Sequence, residues 1–253
     1  MKTQIPSYIE QRVRQPAPAD SGVVPGSTPV VSFGNAQTAT VATLGLNPSR
    51  VEFLDRSAQE LVGSSRRLAT HRSLGTSDLT NAPLDVIGRV IDDCNGYFQR
   101  NPYRNWFGQL EPIVKAIGAS YYNGSACHLD LVQWATDPTW GNLQPASLRK
   151  RLLAADAPFL IEQLRNENIR MLLVNGMGVL HQLRHIISAD LQAVDPIIGL
   201  GHHDTRMFVG TIFDRVNVVG WSTNIQSSFG VSTELRDELA VQVEQLGRAP
   251  IVP

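Results

Sequence analysis

The chain has 253 residues, 42% of them hydrophobic, with 22 basic side chains against 23 acidic ones. That length suits one large or two small domains with a real core, and the balanced charge excludes a global basic field, so any anion-binding surface has to be local. Two cysteines, Cys94 and Cys127, are too few for a disulfide framework, a four-cysteine cluster or a zinc ribbon.

No run approaches the ~20 apolar residues of a membrane span. The first stretch, MKTQIPSYIEQRVRQ, lacks the apolar centre of a secretory signal. The expectation is a cytoplasmic chain with free thiols and no membrane partner. Only three lysines accompany 19 arginines. Arginine suits bidentate phosphate contacts, although an arginine-rich genome explains the bias as readily.

Residues 1–28 read as an N-terminal arm, with a short helix over 1–15 followed by PAPADSGVVPGST, a loop by composition. Residues 29–253 read as a single domain. PVVSFGN and TATVATLGL are β-rich runs, the second the better buried strand. RVEFLDRSAQEL has a helical pattern, and VGSSRRLATHRSLGTSDLTNAP is a polar surface excursion. LDVIGRVIDDCNGYF and WFGQLEPIVKAIG are helical. SACHLDLVQWAT is a strand running into polar residues. SLRKRLLAADAPFLIEQLRNEN is one helix or two, IRMLLVNG a strand and MGVLHQLRHII a helix. TRMFVGTIFDRVNVVGW is strand, turn and strand. STELRDELAVQVEQLG is a final helix capped by Ser232. Strands alternating with helices imply an α/β domain built on a mostly parallel sheet.

In such sheets ligands bind beyond the carboxyl ends of strands, and polar residues gather there: 45–49, 130–136, 175–176 and 222–228. Phosphate loops, dinucleotide fingerprints and nucleophile elbows are absent. GHHD at 201–204 reads as a surface loop rather than a metal site, because two adjacent histidines cannot easily share one ion. No metal and no cofactor are expected. In GLNPS, Pro48 biases Asn47 to an extended backbone and holds its amide at a strand tip. An amide donates and accepts but has no useful pKa, so it can position water and is a poor base. An ordinary Asn-Pro turn explains the same residues.

GLNPS after a buried strand resembles the first motif of the uracil-DNA glycosylase superfamily, as carried by its mismatch-specific and single-strand-selective branches. VNVVGWSTNIQSS resembles the second motif, with Asn224 in its Asn or His position, while Ile225 and Gln226 depart from the usual Pro-Ser. ACHLDLVQWAT stands where the family has a strand ending in a base-reading Asn, and Asp130 departs from it. The order agrees from about residue 30 to 240. The resemblance implies a three-layer α/β/α sandwich with a central mostly parallel sheet. It implies a monomeric DNA glycosylase that flips a pyrimidine out of single- or double-stranded DNA and hydrolyses its N-glycosidic bond, leaving an abasic site. By that likeness Asn47 positions the water and Asn224 acts on the leaving base or sugar-phosphate. Ser49 and Arg50 meet phosphate, and 222–228, with Gln226, Ser227 and Ser228, press into the minor groove.

Asp130 bears on the substrate. A carboxylate only accepts hydrogen bonds, which suits the amino group of cytosine and repels O4 of uracil. Asp130 in the pocket therefore favours a C5-modified cytosine, such as the hypermodified cytosines of some phages, and a role in defence. Asp130 capping a helix or pairing with arginine outside the pocket is the competing reading. Phe53 is a candidate stacking ring and equally a core side chain. Tyr103, Arg104 and Trp134 are placed in a pocket or groove. Arg66, Arg67 and Arg72 are candidate phosphate contacts in a loop that also reads as plain solvated surface. The alternatives are a uracil or mismatch glycosylase of repair, a catalytically silent binder of modified nucleic acid, and a hydrolase or transferase acting on nucleotides.

Overall fold

A computed structural model describes residues 5–200, 203–226 and 231–248. The elements in chain order are α1 (Ser7–Arg14), β1 (Val41–Gly45), α2 (His71–Leu74), α3 (Leu84–Asn95), α4 (Arg104–Phe107), α5 (Glu111–Ala116), β2 (Ala126–Asp130), α6 (Ala146–Asn166), β3 (Met171–Asn175), α7 (Met177–Ile187), β4 (Gln192–Leu200), β5 (His203–Ile212), β6 (Val216–Trp221) and α8 (Thr233–Arg248). The protein is α/β, with six strands in one sheet ordered β2-β1-β3-β6-β5-β4. β1, β3 and β6 are parallel neighbours, and β6, β5 and β4 are antiparallel.

The chain forms two compact units. The first comprises 1–34, 46–102 and 129–163, and the second comprises 35–45, 103–128 and 164–253. The second holds most of the sheet. Its parallel strands β3 and β6 are largely apolar, and Leu172, Leu173, Val174, Val218, Val219 and Trp221 are wholly buried. Such runs suit strands covered on both faces. In α8, Ser232 accepts from Leu235 N–H at 3.2 Å, the expected cap.

The first unit is mostly irregular. Its buried backbone must find donors and acceptors outside ladders, and side chains supply them. Gln163 donates to the Val31 carbonyl at 2.7 Å, and Thr28 donates to the Ala69 carbonyl at 2.9 Å. α1 is anchored by charge: Arg12 pairs with Asp156 at 2.9 Å, and its Nε donates to Gln133 Oε1 at 3.0 Å. Gln133 N–H in turn donates to Asp156 Oδ2 at 2.7 Å. Burial pushes the Asp156 carboxyl up despite this pairing.

Several expected elements form differently. PVVSFGN is buried but not a strand; it is held by isolated bonds such as Val30 N–H to the Gln133 carbonyl at 2.8 Å. RVEFLDRSAQEL makes only a short 3₁₀ turn, Arg50–Glu52. Asp55 Oδ1 accepts from Ser57 and Gln59 N–H at 2.8 and 2.9 Å, a local turn that competes with helix. WFGQLEPIVKAIG divides into α4 and α5, because Pro112 lacks the N–H needed to continue a helix and sits in the first turn of α5. The segment before His203 is β4, which pairs with β5 in an antiparallel hairpin, so GHHD leads into a strand; Gly201 and His202 lie outside the described residues.

Removing Arg12 leaves Asp156 buried without its counter-charge. Arg12→Met is expected to cost ~3–5 kcal/mol, and joint replacement of Arg12 and Asp156 by apolar residues to recover part of that loss, as read from urea unfolding midpoints.

Candidate functional site

In the first unit the residues that follow β1 in the chain run beside those that follow β2. Val132 N–H donates to the Leu46 carbonyl at 3.0 Å, and Ser49 and Thr136 form a parallel bridge. Between these contacts the Asn47 Nδ2 group donates to the Pro48 carbonyl, the Trp134 carbonyl and Thr136 Oγ1 at 3.0, 3.1 and 3.2 Å. Carbonyl oxygens only accept, so these contacts fix which end of the amide faces them. The Oδ1 end makes no hydrogen bond among the described residues. Asn47 is half-buried. The result is an immobilised acceptor, suited to holding water.

Ser49 is spent locally as the cap of the 3₁₀ turn, accepting from Val51 N–H. Arg50 is paired with Asp137, its Nη1 donating to both carboxylate oxygens at 2.9 and 2.8 Å. Arg66 is bonded to Asp93, Arg67 donates to the Val51 carbonyl, and Arg72 is exposed. Phe53 is 1% exposed and lies in the core of this unit. Trp134 is 4% exposed, with the Arg12 guanidinium 5.3 Å from its ring centre.

Asp130 ends β2 and is 5% exposed. It shares this interior with Glu52, which carried no weight in the sequence. Tyr97 O–H donates to Glu52 Oε2 at 2.7 Å. Burial pushes the Glu52 carboxyl from 4.5 up to about 7, the charge of Asp130 adds to the rise, and Tyr97 and Arg67 oppose it. Both carboxyls are thus buried, and that of Glu52 is the one shifted toward neutral pH. Strongly shifted acids of this kind mark functional sites more often than chance. The one sequence sign was an acidic residue inside an otherwise apolar VEFL.

In the second unit, Asn175 ends β3 and organises the loop after β6. Its Nδ2 donates to Asn224 Oδ1 and Gln226 Oε1 at 2.8 and 2.9 Å. Its Oδ1 accepts from Trp221 Nε1 and Ile225 N–H at 2.9 and 3.0 Å. All four hydrogen bonds open to an amide are used. Gly176 adopts φ +96°, and a Cβ there would stand 3.2 Å from that of Asn224, so the turn and the close approach both need glycine. Asn224, within this loop, is exposed, and its Oδ1 also accepts from Gln226 N–H at 3.1 Å. Gln226 Nε2 also donates to the Trp106 carbonyl at 3.3 Å. Tyr103 precedes α4 as its cap residue, and the Arg104 guanidinium lies 5.0 Å from the Tyr122 ring centre. Ser227 and Ser228 lie outside the described residues.

Among the described residues no cluster of three or more His, Cys, Asp or Glu could hold a metal, and no helix is long and apolar enough to cross a membrane. Cys94 and Cys127 are buried free thiols. No protein-family profile matches the chain, and no curated protein matches it.

Two outcomes test this geometry. The fold favours protonated Glu52, whose stabilising contribution is full below about 4.5 and lost as pH rises through about 7. Glu52→Gln keeps an acceptor for Tyr97 without the charge. Relative to the unsubstituted chain it should gain little at pH 5 and on the order of 3 kcal/mol at pH 8, measured as the difference in urea midpoints. Asn175→Ala strands Trp221 Nε1–H and Ile225 N–H. It should cost about 2–3 kcal/mol and expose 222–226 to limited proteolysis.

Proposed function

We propose that this chain is a DNA glycosylase of the uracil-DNA glycosylase type, with that superfamily's α/β/α sandwich. In this reading it works as a monomer in the cytoplasm, flips a C5-modified cytosine out of DNA and hydrolyses its glycosidic bond. The observation that carries the reading is the state of Asn47, whose amide hydrogens are all spent on neighbouring groups while its oxygen stays open. A water accepted there is oriented without being deprotonated. An amide is too weak a base to do more, so most of the barrier must be lowered by stabilising the cationic sugar and the departing base.

The acidic pair supports the same assignment and extends it. Asp130 accepts from the exocyclic amino group that distinguishes cytosine from uracil. Burial raises the Glu52 carboxyl to about 7, the kind of tuning general acids need. Asn224 is presented on a loop that Asn175 holds in one conformation, as a group acting on the leaving base or the sugar-phosphate needs. The ion pairs at Arg50 and Arg66 leave Arg72 and Arg104 as the better-placed phosphate contacts of the arginines singled out in the sequence.

The test is abasic-site formation on oligonucleotides carrying uracil, cytosine, 5-hydroxymethylcytosine or a larger C5-substituted cytosine, read by alkaline strand cleavage. Excision from the modified cytosines is expected. Asn47→Ala should lower the single-turnover rate about 10²-fold or more, and Asp130→Asn should relax discrimination against uracil. Robust uracil excision by the unsubstituted protein would overturn the role given to Asp130 and favour a repair enzyme. Tight binding without cleavage, unchanged by Asn47→Ala, would favour a silent binder.

A further inference from the structure

The segment after β2 has a neighbour along each edge within the first unit. Residues 22–30 run along one edge. Val30 N–H donates to the Gln133 carbonyl at 2.8 Å, Val24 N–H to the Ala135 carbonyl at 2.9 Å, and Asp137 N–H to the Gly22 carbonyl at 2.9 Å. Residues 46–49 run along the other. Val132 N–H donates to the Leu46 carbonyl at 3.0 Å, and the Trp134 carbonyl accepts from the Asn47 amide at 3.1 Å. Thr136 bridges to both, antiparallel to Val23 and parallel to Ser49. Extended backbone turns successive residues to opposite sides, so 133, 135 and 137 face residues 22–30 while 132 and 134 face 46–49. The carbonyl that grips Asn47 thus sits between two that residues 22–30 hold.

Gln133 ties this segment to α1 and to Asp130. Its Oε1 accepts from Arg12 Nε at 3.0 Å, and its Nε2 donates to the Asp130 carbonyl at 2.8 Å. Its own N–H donates to Asp156 Oδ2 at 2.7 Å, and the residue is 1% exposed. A side chain so enclosed touches no substrate; it fixes backbone. On one side that backbone is Asp130, and on the other it is the Trp134 carbonyl, next along the chain. Gly22 secures the far end. It holds φ +70°, and a Cβ there would stand 2.5 Å from Leu143 Cδ1, so a side chain strains the turn and crowds Leu143.

We infer that Gln133 is a positioning residue, through which α1 and residues 22–30 hold the Asn47 amide and the Asp130 backbone in place. The consequence for catalysis rests on the glycosylase reading; the orientation of Asn47 does not. A purely structural Gln133 would add stability and leave the Asn47 amide held without it.

The test follows the Asn47 side-chain NH₂ resonances of the ¹⁵N-labelled full chain, recognised by their loss in Asn47→Ala. Gln133→Met keeps the length and removes both side-chain hydrogen bonds. It should speed exchange of that NH₂ pair with water about tenfold, the loss of roughly one hydrogen bond. Gly22→Ala, a milder change outside the contacts of Asn47, should speed it about threefold and carries the same readouts should Gln133→Met fail to fold. Ile87→Val, a core trimming on α3, controls for lost stability and should leave the exchange unmoved. In single-turnover cleavage of the modified-cytosine oligonucleotide, Gln133→Met should slow the step about tenfold while Kd changes less than about twofold. Exchange in the substituted chains no faster than in Ile87→Val overturns the inference. So does an undiminished rate in them when the unsubstituted chain cleaves. No cleavage of any oligonucleotide by the unsubstituted chain overturns the glycosylase reading instead, and the exchange rates then decide by themselves whether Gln133 orients Asn47.

Discussion

A carbonyl left without a ladder partner needs another donor, and in this chain arginine supplies several of them. Arg14 reaches the carbonyls of Leu79, Thr80 and Ala82. Arg149 spans those of Trp140, Gly141 and Leu143, and Arg215 gathers four between Leu164 and Ile169. A guanidinium carries five donors in a planar fork and never loses its charge, so one side chain can satisfy several peptide oxygens where no ladder passes. The excess of arginine over lysine therefore has a structural use in this fold, alongside any use at phosphate.

The strands and long helices were legible because their patterns were continuous. MLLVN, VNVVGW and the amphipathic α8 permit little else. GLNPS was legible as a held amide at a strand tip, and the structure adds what holds it: the Trp134 carbonyl and Thr136, which come after β2 in the same way that Asn47 comes after β1. What escaped was local competition and buried polarity. The VEFLDRSAQEL periodicity suggested a helix, but Asp55 and Ser57 made a turn of it. Glu52 looked like one more helical acid, because nothing in a single sequence says that a carboxyl beside Phe53 is enclosed and faces a tyrosine. Asn175 read only as the end of a strand, since its work is done through residues almost fifty positions away.

The two asparagines show how one side chain serves two ends. Asn175 has no capacity left, so it is a fastener: it determines the path of 222–226. Asn47 has its donors consumed and its acceptor open, so it is an oriented receptor. A glutamine would carry the same groups on a longer, freer stem and lose the orientation. An aspartate would turn its donor end into an acceptor facing two carbonyls. The acidic pair of Glu52 and Asp130 obeys the same logic of environment, with burial rather than residue type setting what each can do.

The contact between Arg12 and Gln133 spans 121 positions of chain, and the ion pair with Asp156 spans more. A helix at the beginning of the chain thus has its charge partner near the far end of its own unit, whose three stretches are interleaved with those of the other. During synthesis α1 leaves the ribosome long before anything exists to neutralise it. The Arg12–Asp156 pair cannot form until α6 exists, and closing that long loop carries an entropy cost. Until then α1 has only the partners of residues 79–95, where Arg14 reaches the Leu79, Thr80 and Ala82 carbonyls, and Arg12 is without its carboxylate.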